Sequence, residues 1–415
     1  MSVTPMRISP VYRRPTTTAP ATTPSTAGGT NTAVINGQNV RYMGPGSQWS
    51  VDMPYLQAEL IDKTPNDPLA IWEFGSYKIK VKAGQVRLSD DQATKLVASQ
   101  LQGSSLPVKN GSVEFRDNNQ VKVKGTYQAF GFLPIPLSVR AQLATPTDTT
   151  VLVKPKSVNV FGLPVLWAVK LFGIDVAKYM PANGLATVAK DKSITLDLTK
   201  TDMFEGKVSK IDITQGRAVV TLGGAPAPSL QGSRTKGSPN YAEVIARGEV
   251  ALESAIIRNA SVVTVDATPN DPYSFNLWDV EGFARVESGD VILDEARLAK
   301  KFAGAGGAFI MKSAKLKGQD LVVEGVYEFL GLPLPLDFKI NFSKTADGQL
   351  KLTPHDVRIV GFKGGRDTLM ETMAKVDGLR KDGDGFILDL RSAASVEMPP
   401  IRNLRTEPGR IVLQP

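Results

Sequence analysis

The sequence predicts an α+β protein built from two duplicated modules, each mostly antiparallel sheet with two helices, behind a disordered N-terminal tail. Three observations carry that expectation. Matched positions recur in unbroken order about 200 residues apart. Most segments between them alternate apolar and polar residues with the period of a strand. Two segments in each repeat carry the wider spacing of an amphipathic helix.

The duplication can be read residue by residue. Pro65-Asn66-Asp67-Pro68 returns as Pro269-Asn270-Asp271-Pro272, a shift of 204. Gly84, Val86 and Leu88 return as Gly289, Val291 and Leu293, and Gly125, Tyr127 and Gly131 as Gly325, Tyr327 and Gly331. Pro134, Pro136 and Leu137 match Pro333, Pro335 and Leu336; Val158 and Gly162 match Val357 and Gly361. Leu196-Asp197-Leu198 matches Leu388-Asp389-Leu390, and Val208, Ile211, Gly216, Arg217 and Val219 match Ile401, Leu404, Gly409, Arg410 and Val412. Shifts that drift smoothly are what duplication followed by small loop deletions leaves behind, and a period this long denotes a duplicated domain, not a solenoid.

The boundaries follow from composition. Residues 1–47 are rich in Thr, Pro and Ser and cannot bury enough apolar surface to offset their ordering entropy, so they read as a disordered tail. Residues 48–223 form the first module and 241–415 the second, joined by a Gly/Pro-rich linker at 224–240.

Within the first module, strand patterns cover 77–81, 85–88, 112–115, 121–127, 138–143 and 151–153. A helix begins at Ser89 with Gln92 three residues on, a capping-box pattern, and carries Ala93, Leu96, Val97 and Leu101 on one face. Its counterpart starts near Asp294 with Leu298, Ala299 and Phe302. A second helix is expected at 164–180, apolar on most sides through Leu166, Val169 and Phe172, and again at 366–379 with a Leu369, Met370, Met373, Val376 stripe. Each module ends in a hairpin turning at a glycine, Gly216 or Gly409.

Composition removes much chemistry. No cysteine and one histidine, His355, exclude disulfides, thiolate metal sites, cysteine nucleophiles and two-histidine metal motifs. Phosphate-binding glycine loops and nucleophile elbows are missing from the sequence. His355 reads as a surface or strand-start residue, and no oriented partner for a general base is evident. Asp197 and Asp389 read as the solvated face of a Leu-Asp-Leu strand. Neither a cofactor nor a metal is expected. A formal net charge of +8, without a dense basic run, favours anionic surfaces. Interleaved aromatics are lacking, so nucleic acid is not an expected partner. No Sec-type signal or apolar segment long enough to span a bilayer is present, which points to the cytoplasm or export by another route.

The two Pro-x-Pro segments, Gly131-Phe132-Leu133-Pro134-Ile135-Pro136 and Gly331-Leu332-Pro333-Leu334-Pro335, lack ladder donors at alternate positions. They mark an edge or loosened rim where the backbone leaves the sheet. Their apolar neighbours form either a hydrophobic rim packed under the second helix or the mouth of an apolar ligand cavity.

Several of these features resemble the tubular lipid-binding (TULIP) superfamily, most closely its bacterial LmeA-like phospholipid-binding branch. The carriers are the strand and Leu-Ser-Asp-Asp-Gln-Ala-Thr-Lys-Leu helix from Leu88, the Gly125-x-Tyr127 strand, the apolar second helix, and the closing segment from Gly206 to Val219. The resemblance implies that each module is a strongly curved antiparallel sheet wrapped around a long helix, enclosing an apolar tube for acyl chains. The lining so implied is Leu96, Val97, Leu101, Phe130, Phe132, Leu133, Ile135, Leu166, Val169 and Phe172 in the first module. In the second it is Leu298, Phe302, Phe329, Leu330, Leu332, Leu334, Leu369 and Met373.

The expected function is therefore non-enzymatic binding or transfer of a phospholipid or other acyl-chain lipid, with an anionic membrane surface as a further partner. Burying about 14 methylenes supplies roughly 11 kcal/mol before ordering costs, without a specific polar site. The alternative is a structural or interaction protein with filled modules that binds a polyanion or protein partner through its basic surface. An enzyme acting on lipid lacks a nucleophile–base pair.

Overall fold

The computed structural model describes residues 30–43, 48–64, 67–71, 75–102, 108–129, 133–160, 163–164, 185–201, 204–224, 240–252, 255–266, 268, 270–276, 279–280, 283–303, 309–329, 332–360, 362–363, 365–376, 378–394 and 396–415. The first repeat contains β1 (Thr32–Met43), β2 (Ser50–Asp62), β3 (Tyr77–Ser89), α1 (Asp90–Gln102), β4 (Val108–Arg116), β5 (Gln120–Ala129), β6 (Leu133–Thr147), β7 (Thr150–Val160), β8 (Ala186–Val188), β9 (Ile194–Asp197), β10 (Val208–Thr214) and β11 (Arg217–Gly223). The second contains β12 (Tyr241–Arg247), β13 (Glu249–Ala251), β14 (Ile256–Val265), β15 (Phe283–Asp294), α2 (Glu295–Ala303), β16 (Phe309–Lys317), β17 (Asp320–Phe329), β18 (Leu332–Lys344) and β19 (Leu350–Ile359). It closes with α3 (Arg366–Met373), β20 (Leu379–Asp382), β21 (Gly385–Leu388), α4 (Leu390–Ala394), β22 (Asn403–Glu407) and β23 (Arg410–Gln414).

These strands form three sheets. A central sheet of sixteen strands, short marginal pairings included, runs β10-β11-β3-β2-β1-β12-β14-β15-β23-β22. Read inward from either end, this order visits corresponding strands of the two repeats, so the sheet has a pseudo-two-fold axis between β1 and β12. Those two strands pair antiparallel, from Thr32 opposite Arg247 to Gln38 opposite Tyr241. Each repeat adds a wing of six strands and one two-residue pairing, β8-β9-β7-β6-β5-β4 in the first and β20-β21-β19-β18-β17-β16 in the second. Gly125 lies opposite Leu137 in one wing and Gly325 opposite Leu336 in the other, so the matched glycines occupy corresponding strands.

The repeated Pro-Asn-Asp-Pro loops explain themselves at the seam. Asn31 Nδ2 donates to Asp62 Oδ2 at 3.2 Å and to the Asp67 carbonyl at 2.8 Å. In the second repeat, Asn240 Nδ2 donates to Asp266 Oδ2 at 3.1 Å and to the Asp271 carbonyl. Both asparagines are buried, and an unpaired amide at either position would carry the desolvation cost of a buried polar group. Asn31 Oδ1 also accepts the Glu249 N–H at 2.9 Å, and Asn39 Nδ2 donates to Asn240 Oδ1 at 2.6 Å, which ties each latch to the other repeat. Gly248, at φ +80°, leaves room for this; a Cβ there would lie 2.4 Å from Asn31 Oδ1.

The architecture corrects the expected fold class. The described chain is predominantly strand, not α+β, and neither repeat is a sheet wrapped around a long helix. The longest helix among the described residues, α1, has 13 residues and lies along one wing. Neither repeat is a closed module, because both contribute strands to one central sheet. β1 occupies 32–43, inside the stretch read as tail, because its apolar residues find partners only at the seam, a long-range pairing that local composition does not report. Residues 1–29, residues 225–239 of the expected linker at 224–240 and residues 165–180 of the helix expected at 164–180 lie outside the described residues. Its counterpart α3 is shorter than expected, ending at Met373.

Two smaller expectations also change. Asp197 is the last residue of β9, a strand position as expected, and also an N-cap, whereas Asp389 lies just past β21 and caps the helix that follows. Asp197 Oδ1 accepts from Thr199 N at 3.0 Å and its Oγ1 at 2.6 Å, and Asp389 accepts from Arg391 N at 3.0 Å and Ser392 Oγ at 2.6 Å. Those hydrogen bonds hold both carboxylates below their ordinary pKa. The Pro-x-Pro segments do not leave the sheet. Pro134 and Pro136 stay in register opposite Gln128 and Thr126, and Pro333 and Pro335 opposite Glu328 and Val326. Val360 N donates to the Pro335 carbonyl at 2.8 Å, so that residue turns its missing N–H away from β17. β19 joins β18 in ladder register only from Leu336, which leaves the proline edge free of a ladder partner.

Candidate functional site

Each first helix is pinned to its wing by the same device. In α1, Gln92 N donates to Ser89 Oγ at 3.2 Å and Ser89 N to Gln92 Oε1 at 2.9 Å, the capping box anticipated from sequence. Asp90 Oδ1 accepts the Phe115 N–H at 2.7 Å, and Thr94 Oγ1 that of Val113 at 2.9 Å. In α2, Asp294 Oδ1 accepts from Arg297 N at 2.8 Å, and Glu295 Oε1 from Leu316 N at 2.6 Å. Helix and wing are thereby locked in register.

The apolar face of α1 lies on the inner face of the first wing. Ala93 is buried, and Leu96, Val97 and Leu101 are half-buried. A Cβ on Gly111 would stand 2.7 Å from Leu101 Cδ1 and 2.9 Å from Val97 Cγ1, so glycine is what allows the helix to sit this close.

Beside α1 the inner wall continues through Val121 and Val123 of β5, Val139, Ala141 and Leu143 of β6, and Val151 and Val153 of β7, which strand register places on one face. Ala141 is buried, but Val121, Val139, Leu143, Val151 and Val153 are only half-buried, and Val123 is 38% exposed. The matched wall of the second repeat differs at every level. Leu321, Val323, Phe338, Ile340, Phe342, Leu350 and Leu352 are all buried, with Val323 at 0%. They belong to one core cluster with Leu369, Met370 and Met373 of α3 and with Leu298 of α2. A cleft lined by Tyr327, Leu336, Ile359, Gly365 and Thr368 leaves about 10 Å³, space for one water-sized sphere. Among the described residues the second repeat is filled, and the first presents an apolar wall that they leave partly open.

The expected lining residues divide accordingly. Leu298, Leu369 and Met373 are buried residues of the second repeat's core cluster. Ile135 is 2% exposed and packs in a small satellite cluster with Val160, whereas Leu133 and Leu332 stand at wing tips, 44% and 62% exposed, and Leu334 is half-buried. Phe130, Phe132, Leu166, Val169, Phe172 and Leu330 lie outside the described residues, as do the side chains of Phe302 and Phe329. Leu96, Val97 and Leu101 border the open wall.

The wall residues themselves were read as strand positions and not as lining. A usable signal was present. At six matched positions the second repeat carries the larger side chain: Leu321 for Val121, Phe338 for Val139, Ile340 for Ala141, Phe342 for Leu143, Leu350 for Val151 and Leu352 for Val153. On the adjoining strand the difference is reversed, Val113 and Phe115 standing where the second repeat has Ala314 and Leu316, so the smaller side chains of the first repeat are confined to β5, β6 and β7.

His355 lies within β19, its Nε2 3.2 Å from Asp320 Oδ1, which also accepts from Asn341 Nδ2 at 2.9 Å. Burial opposes ionisation of Asp320, yet these partners hold its pKa below the ordinary range. No helix among the described residues is long and apolar enough to cross a membrane.

No protein-family model matches the chain, and no curated protein does. A solved structure of a lipopolysaccharide binding protein aligns over 92% of this chain and 97% of its own, at 9% identity and a TM-score of 0.13, a likeness too slight to carry an argument.

Proposed function

We propose that the chain binds the acyl portion of a lipid, without transforming it, against the open inner wall of the first repeat, and that the resemblance to the TULIP superfamily and its LmeA-like branch reflects this use. The observation that carries the reading is the contrast between Val123, 38% exposed, and Val323, 0% exposed, at matched positions on matched strands. An apolar wall of this extent is costly to hydrate, and each methylene laid against it contributes about 0.8 kcal/mol. The wall carries no charged side chain, so the ligand it suits is a hydrocarbon chain with its polar end directed elsewhere. One site per chain, not two, follows from the filled second repeat.

Organic extraction of the purified full-length chain, with mass analysis of the extract, tests this reading. Acyl-chain lipid approaching one per chain is expected. A chain that carries no lipid and takes none up from vesicles is instead an interaction protein, the reading that the packed second repeat favours.

A further inference from the structure

The opposite face of the same wing carries a second feature. Alternation that turns the valines inward turns Lys109 and Arg116 of β4, Lys122 and Lys124 of β5, Arg140 of β6 and Lys154 of β7 outward. They form connected rows: Lys122 stands between Glu114 and Arg140, and Lys124 is opposite Ser138. Glu114 is the one carboxylate at the outward positions of these four strands. It is shared by Lys124 and, at 3.1 Å, Arg116, whose hydrogen bonds hold it below its ordinary pKa. Asp191 lies near Lys154 at the margin. Lys109, Lys122, Arg140 and Lys154 form no ion pair among the described residues, and the buried Nε of Arg140 has no hydrogen-bond partner there.

The second repeat does not share this surface. At the six corresponding positions stand Ile310, Lys317, Val322, Glu324, Lys339 and Thr353, and Asp320, Asp337 and Asp356 lie on the same face. Lys339 Nζ is 3.0 Å from Asp356 and Arg358 is 3.2 Å from it, so cations there are already paired. Fold alone therefore does not require a basic wing.

We propose that the outward face of the first wing is a docking surface for an anionic phospholipid bilayer. Six cations on four adjacent strands, with the gaps filled by short polar residues such as Ser112, Thr126, Ser138, Gln142 and Asn159, present a broad cationic surface to a planar array of negative charge. No outward position of these strands is aromatic, so the face lacks the stacking platforms that single-stranded nucleic acid uses, and it offers no helix to a duplex groove. The inference stands apart from the acyl-binding reading, because it rests on the other side of the sheet and is read by a different assay.

The test is co-sedimentation of the full chain with phosphatidylcholine vesicles, with and without a phosphatidylglycerol fraction, across a salt series. Each basic residue close to an anionic leaflet contributes about fivefold to partitioning. The triple variant Lys109→Gln/Lys122→Gln/Lys154→Gln, which removes cations that form no ion pair among the described residues, should therefore bind the anionic vesicles roughly a hundredfold more weakly. The control Lys339→Gln should change binding by less than about twofold, since Lys339 is already paired. Wild-type binding should weaken steeply as salt rises. Equal partitioning to neutral and anionic vesicles overturns the proposal, as does a correctly folded triple variant that binds like wild type. Capture of a single-stranded oligonucleotide in preference to vesicles, lost in the triple variant, assigns the face to nucleic acid and overturns it as well.

Discussion

The two repeats share strand order, helix pins and seam latches, yet among the described residues one inner wall is packed throughout and the other, beside a core of its own, is left half-exposed. In the second, Phe338, Phe342, Leu350 and Leu352 meet Leu369, Met370 and Met373 in a single core. In the first, Val139, Leu143, Val151 and Val153 hold the same register with less volume and remain half-exposed. The edges differ in the same direction. Buried Glu249 accepts from Arg410 at 2.8 Å and Arg258 at 2.7 Å, and Arg258 bonds Glu407 at 2.7 Å, fastening the closing hairpin of the second repeat to the seam. The matched residues Arg217 and Thr214 of the first repeat are exposed.

If this contrast holds, matched substitutions should have unequal effects. Phe342→Ala empties a fully buried site and should cost about 4 kcal/mol, whereas Leu143→Ala at the matched position should cost under about 2 kcal/mol. Urea midpoints of the two variants give the comparison; equal losses would mean both cores are packed alike. Arg410→Met removes a partner from buried Glu249, which keeps Arg258, and should cost about 3 kcal/mol, while Arg217→Met should stay within about 0.5 kcal/mol. Loss of the Asp389 cap in Asp389→Ala should lower stability by about 1 kcal/mol, read as a fall in thermal midpoint.

The smallest effect is on pH dependence. The hydrogen bonds from Arg258 lower the Glu407 pKa despite its partial burial. A depressed folded-state pKa contributes stability that is present above the unfolded carboxylate value and is lost as pH falls through the folded value. Glu407→Gln should therefore lose stability near neutrality and show a shallower decline between about pH 5 and pH 3. Thr214, at the matched position, offers no such group. An unchanged acid slope in the variant would remove this part of the contrast.

What the sequence made legible, and what it did not, follows the range of the interactions. Ser89 with Gln92, the glycine-turned hairpins and the inward valines are local patterns, and the structure has them where period and spacing put them. The central sheet was not legible, because β1 pairs with β12 some 200 residues away and its Thr-rich flank resembles the tail that precedes it. Asp389 misled because strand alternation and capping make the same Leu-Asp-Leu string; the following Ser392 is the better signal. The prolines misled because a missing donor turned toward a free edge need not interrupt the other ladder. The site was half legible. The α1 face was found, but its partner wall becomes visible only when side-chain sizes are compared between the repeats.

The most direct measurement is lipid retained by the full chain after purification, quantified by native mass spectrometry for wild type, Val123→Trp and Val323→Trp. A Trp at Val123 covers the open wall and should abolish retention while leaving the urea midpoint near wild type. A Trp at Val323 overpacks the filled core and should cost about 1–3 kcal/mol with retention unchanged in the folded fraction. Lipid retained undiminished by Val123→Trp, or lost only in Val323→Trp, would contradict the assignment of binding to the first repeat.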